Sequence, residues 1–185
     1  MWKLLPTPRP ALAALSGVDW NRDLSPWTMP KVFQRGEDFG GGGPAFLDTL
    51  TRCILPEVEK ELGFIPVSRV IAGYSLAGLF ALWTATRTDC FNRVASMSGS
   101  LWFDGFMDYF ASRPVSNRLD QAYLSLGDQE KNTANRRMAS VEECTCRAAE
   151  LLKKQGIEVT CELNSGGHFK DTAERIAKGI AKVLE

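Results

Sequence analysis

Ser75, the lone His168 and the acidic pair Asp128 and Glu130 are the residues of this 185-residue chain whose types could combine for nucleophilic chemistry. A serine hydroxyl attacks a carbonyl only when a base takes its proton. That base is usually histidine, and a carboxylate then fixes its tautomer and stabilises its cation. Ser75 stands in Val70-Ile71-Ala72-Gly73-Tyr74-Ser75-Leu76-Ala77-Gly78-Leu79-Phe80, where a β-branched run breaks at Gly73 and resumes as a helical pattern after the serine. Such a strand-to-helix turn lifts the hydroxyl out of the sheet. The helix that follows offers its first free N–H groups, led by that of Leu76, to a developing oxyanion. Ala77 takes the place of the last glycine in the Gly-x-Ser-x-Gly pattern and keeps most of the room that strand and helix need to approach.

His168 lies in Asn164-Ser165-Gly166-Gly167-His168-Phe169, whose glycines let the imidazole point freely. The acid is expected after the strand between serine and histidine. There, Leu126-Gly127-Asp128-Gln129-Glu130-Lys131-Asn132 supplies both Asp128 and Glu130, and residue type leaves the choice open. Serine, acid, histidine is the chain order of the α/β-hydrolases and differs from the orders in chymotrypsin and subtilisin.

The elements that must position these residues alternate between strand and helix. Strands are predicted over 11–18, 67–72, 93–97, 122–126 and 157–163, and helices from Pro44 to Gly63 and over 76–86, 101–110, 136–155 and 172–184. Pro56 is expected to kink the first of these helices. Alternation of this kind implies a parallel sheet covered on both faces, with the site at the C-terminal ends of its strands. A long loop rich in turn residues and aromatics joins Val18 to Pro44. Its tetraglycine, Gly40 to Gly43, lacks the Lys-Ser/Thr of a phosphate-binding loop and reads as a flexible hinge. Tyr74, Trp27 and Trp102, with Phe103 and Trp20, are candidates for a substrate pocket because they fall in loops and not at core spacing.

With 44% hydrophobic and 24% charged residues, the composition is that of one globular domain. Twenty-two basic residues balance twenty-two acidic ones, which argues against a binder of nucleic acid or of an acidic membrane surface. No apolar run approaches the length of a membrane span, and Lys3, Pro6, Pro8 and Pro10 interrupt any signal-type core, so a cytoplasmic protein is expected. Cys53, Cys90, Cys144, Cys146 and Cys161 are odd in number and scattered, as reduced thiols are. The Cys144/Cys146 pair has no second ligand pair, and no metal site is expected.

Gly73 to Gly78, Ser125 to Glu130 and Gly166 to Phe169, together with Asp19-Trp20-Asn21 and Leu24-Ser25-Pro26-Trp27, resemble the α/β-hydrolase branch that holds esterase D, enterochelin esterase, feruloyl esterases and the mycolyltransferases. The resemblance runs almost to the C-terminus. It implies a three-layer α/β/α sandwich and a carboxylic ester hydrolase acting on a small-molecule ester through an acyl-enzyme, without cofactor. It makes Ser75 the nucleophile, His168 the base and Glu130 the acid, since the acid of these relatives stands three positions after the glycine that ends its strand. Such relatives begin with an earlier strand whose loop gives a second oxyanion N–H. The run 11–18 more closely resembles the strand after it, so a chain lacking the earliest strands is expected. Losing one such donor costs about a hundredfold to a thousandfold in turnover. Acyl transfer, thioester or amide cleavage by the same residues, and ligand binding without turnover, are the alternatives.

Overall fold

The computed structural model describes residues 10–185, so Lys3, Pro6 and Pro8, on which the reading of the N-terminus rests, lie outside the described residues. Helix α1 (Trp20–Asp23) is capped by the Asp19 carboxylate, which accepts from Arg22 N–H. Two short strands, β1 (Thr28–Met29) and β2 (Phe39–Gly40), pair antiparallel beside it. Helix α2 (Gly43–Thr49) runs through a π-helical turn at Leu50–Ile54 into α3 (Leu55–Leu62). Pro56 sits in the first turn of α3, where its missing N–H and the bulk of its ring disturb the α-helical ladder. A widened π-helical turn stands just before it, at the place where the kink is expected.

The main sheet has the order β3 (Val70–Tyr74), β4 (Arg93–Met97), β5 (Gln121–Gly127), β6 (Glu158–Asn164), with every neighbouring pair parallel. Helix α4 (Leu76–Thr84) links β3 to β4, and α5 (Phe106–Ala111) lies between β4 and β5. Helices α6 (Arg136–Ala139) and α7 (Val141–Lys154) lie between β5 and β6, and α8 (Thr172–Lys182) follows β6. Alternate residues of the central strands face opposite layers. Val94, Ala122 and Leu124 pack in the core formed with α4, α5 and α7, whereas Ala95, Met97 and Tyr123 pack with Val183 and Ile176 on the α8 side. This is an α/β fold of three layers. Residues 94–97 and 122–127 are buried on both faces, as central parallel strands must be, while β3 and β6 are only partly covered. Among the described residues the outer edge of β3 has no ladder partner.

Four expectations need correction. The run 11–18 is neither strand nor buried: residues 11–17 are exposed and irregular, and only Val18 packs on the core. Three alanines and Gly17 give it weak β propensity, and no strand among the described residues pairs with it. The tetraglycine is close-packed, not a free hinge. Gly41 and Gly42 donate to Ser25 Oγ (2.8 Å) and Arg22 O (2.7 Å), and Gly43 donates to Ser25 O (2.9 Å). The loop backbone thereby lies directly against α1 and the buried Ser25. The helix expected over 136–155 breaks at Ser140, whose hydroxyl donates to Arg137 O at 2.7 Å, and the one expected over 101–110 starts only after Gly105, at φ +76.

Gly41 adopts φ +69, and a Cβ there would stand 2.6 Å from Thr28 N. Gly41→Ala should therefore lower stability by about 1–3 kcal/mol in urea unfolding. A flexible hinge would instead gain about 0.4–1 kcal/mol from the stiffer unfolded chain.

Candidate active site

Ser75 has φ 58 and ψ −122, a conformation that costs a non-glycine residue about 1–3 kcal/mol unless its surroundings fix it. The fixing groups are present. Ser75 N–H donates to Met97 O at the end of β4 (3.0 Å), and Ser75 O accepts from Ser100 N–H (3.0 Å), Gly78 N–H (3.0 Å) and Leu79 N–H (3.1 Å). A Cβ on Gly73 would run into the Ala77 carbonyl, so strand and helix approach as the tight turn demands. The side chain is thus held at the N-terminus of α4, beside the Leu76 N–H, one of the donors a helix leaves without an intrahelical partner.

The loop after β6 brings His168 Nε2 to 3.1 Å from Ser75 Oγ. His168 Nδ1 lies 2.6 Å from Glu130 Oε2, in the turn after β5. The Glu130 side chain is only 4% exposed. Its other oxygen accepts from Gly127 N–H and Ser98 Oγ, both at 2.7 Å, and from Arg175 Nη1 at 3.3 Å. Burial pushes the Glu130 carboxyl up, but the hydrogen bonds from His168, Ser98 and Gly127 N–H together outweigh it and hold the group below its ordinary value of 4.5. A half-buried serine and histidine with a buried carboxylate in this series can pass a proton from hydroxyl to imidazole while the acid keeps the ring oriented.

Asp128 stands apart from the imidazole. Its Oδ1 accepts from Gly166 N–H at 2.8 Å, which holds its carboxyl below the usual carboxylate range and ties the two loops together. Tyr74 turns its hydroxyl to the rear of the histidine loop, donating to His168 O at 2.6 Å, and its ring centre lies 5.4 Å from the imidazole. Trp27 donates to Asp104 O (3.0 Å) and packs edge-on to Phe103 and Tyr109. Phe103 is buried in the core, Trp102 is half-buried against it, and Trp20 is exposed. Ser100 Oγ lies 3.5 Å from Ser75 Oγ, so the loop carrying Trp102 and Phe103 does pass the serine.

Sequence reasoning did not single out Ser98 or Arg175 as site residues. Ser98 follows β4 with φ 47, and Arg175 projects from α8 as a guanidinium whose side chain is 3% exposed. The signal for Arg175 is its place four residues before the buried Gly179, on the face of α8 that meets the sheet. Among the described residues no cluster of side chains is suited to a metal ion, and no helix is long and apolar enough to cross a membrane.

A group whose pKa falls on folding stabilises the fold above its unfolded value, and that stabilisation is lost as pH drops through the folded value. The stability gap between the native chain and Glu130→Gln should be widest near neutrality and shrink as pH falls below about 4.5. Urea titrations over that range measure it, and a constant gap would contradict the assignment of a buried carboxylate.

A model of the family described as Putative esterase matches residues 9–172. The uncharacterized protein YbbA of Bacillus subtilis is 24% identical over 137 residues, which are 72% of this chain and 55% of that one. The chain thus spans little more than half of that curated relative. Among solved structures, siderophore hydrolase EstA from Aspergillus nidulans aligns with TM-score 0.69 at 20% identity, over 93% of this chain and 68% of that one. An IroE-like serine hydrolase from Shewanella oneidensis aligns with TM-score 0.70 at 19% identity, over 90% and 57%. These two likenesses concern the fold, that of the α/β-hydrolases. The match to the family model covers nearly the whole chain, which therefore belongs to the Putative esterase family.

Proposed function

We propose that this chain is a serine carboxylic-ester hydrolase, a single α/β-hydrolase domain that works through an acyl-enzyme. The observation that carries the reading is the series Ser75 Oγ, His168 Nε2 at 3.1 Å, and His168 Nδ1 to Glu130 Oε2 at 2.6 Å, starting from a serine in a strained turn. His168 takes the hydroxyl proton as Ser75 Oγ bonds to the ester carbonyl carbon, and the carbonyl electron pair moves onto oxygen. The Leu76 N–H and the positive end of α4 stabilise that oxyanion. Collapse expels the alcohol, which leaves with the proton from His168, and water then repeats the sequence on the acyl-enzyme. Glu130 holds the imidazole with Nε2 facing the serine and balances its charge. No metal or organic cofactor enters any step. Siderophore esters are the first substrates to assay, because the Aspergillus neighbour is a siderophore hydrolase.

A fluorophosphonate probe tests the nucleophile: the native chain should be labelled and Ser75→Ala should not. Folded native chain that stays unlabelled would overturn the reading and leave a ligand-binding protein. Glu130→Gln should lower ester turnover by about 10³–10⁴-fold, the scale on which a triad loses its tautomer control, while Asp128→Asn should change it less than about tenfold. The reverse pattern would transfer the acid's role to Asp128.

A further inference from the structure

We propose that Arg175 is a positioning residue for this reaction, one that locks the acid and the histidine loop into a single rigid frame. The proposal rests on the esterase reading above. Arg175 comes from α8, outside the three sequence stretches that carry the triad, yet its guanidinium lies within hydrogen-bond range of groups from the C-terminal ends of all four main strands. Nη1 stands 3.4 Å from Tyr74 OH at the end of β3, 3.4 Å from Ser98 Oγ after β4 and 3.3 Å from Glu130 Oε1 after β5. Nη2 donates to Ser165 O after β6 at 3.1 Å. A buried cation at these distances acts through its charge as much as through any one bond, and a planar fork holds two partners in fixed relation, which an ammonium cannot.

The neighbours show how the frame constrains the reacting groups. With Gly127 N–H, Ser98 and Arg175 all directed at Oε1, the Glu130 carboxylate cannot turn, and Oε2 stays aimed at His168. Tyr74 OH, reached by the same Nη1, donates to His168 O, so the backbone of the histidine is tied to the same cluster. Gly127 leaves the necessary space: a Cβ there would lie 2.9 Å from Glu130 Oε1 and 3.0 Å from Arg175 Nη1. Arg175 bonds to neither Ser75 Oγ nor the His168 ring and acts on them only through Glu130 and the histidine loop, so its loss should disturb proton transfer more than substrate binding.

The test is kinetic, with kcat expressed per active site titrated by fluorophosphonate on an activated aryl ester. Arg175→Ala should lower kcat by about a hundredfold, the scale set by an ångström of misplacement, with KM within about twofold. Added guanidinium should restore part of that loss, and methylammonium at the same concentration should restore less, while neither activates the native chain. Arg175→Lys keeps the buried charge but not the fork, and should fold and lose about tenfold in kcat. It decides the matter if Arg175→Ala does not fold. Variants whose kcat per titrated site equals that of the native chain would overturn the proposal and leave Arg175 a purely structural cation. Native chain that fails to titrate at all would instead overturn the esterase reading beneath it.

Discussion

A carboxylate that is almost wholly out of water must be met by donors on every side, because a buried charge without partners costs several kcal/mol. Glu130 is in that position, and the donors that meet it come from far apart in the chain: Gly127 beside it, Ser98 after β4, His168 after β6 and Arg175 in α8. The need to satisfy one anion therefore brings the ends of the main strands together. Parallel pairing in register sets those ends level, and the loops that leave them supply the donors.

Strain at Ser75 depends on the same sheet. A positive φ at serine persists only if the surroundings over-determine it, and here the backbone is held by Met97 and Ser100 from the neighbouring strand and its loop. Behind these contacts, α4 is buried along nearly its whole length, with Leu79 and Leu82 fully enclosed. Packing of that helix sustains the turn that exposes the hydroxyl. The two layers divide the labour: α4 presents the serine from one face of the sheet, and α8 steadies the acid from the other.

Much of this was legible in the sequence because buried parallel strands and tight turns leave strong local signals. The strand over 93–97 falls within the bounds predicted for it, and the serine, histidine and acid are legible as residue types near the ends of predicted strands. The rest depends on contacts between distant segments. Residues 11–18 read as a strand because apolar composition resembles one, yet a strand exists only where an edge is available to pair with it. The four glycines read as slack because nothing local reveals Arg22 and Ser25 packed against them. Arg175 draws no notice in the sequence, since an arginine on a helix normally stays in water. Only the fold shows the anion it faces.

The central claim is that Ser75 forms a covalent acyl intermediate with help from His168. Its most direct test is intact-mass and peptide mapping of the chain quenched in acid during turnover of an activated aryl ester. The account predicts one acyl group, carried on the peptide containing Ser75 and missing from His168→Gln quenched at the same time. Acyl groups on other residues alone, or none on a folded chain that turns the ester over, would contradict it.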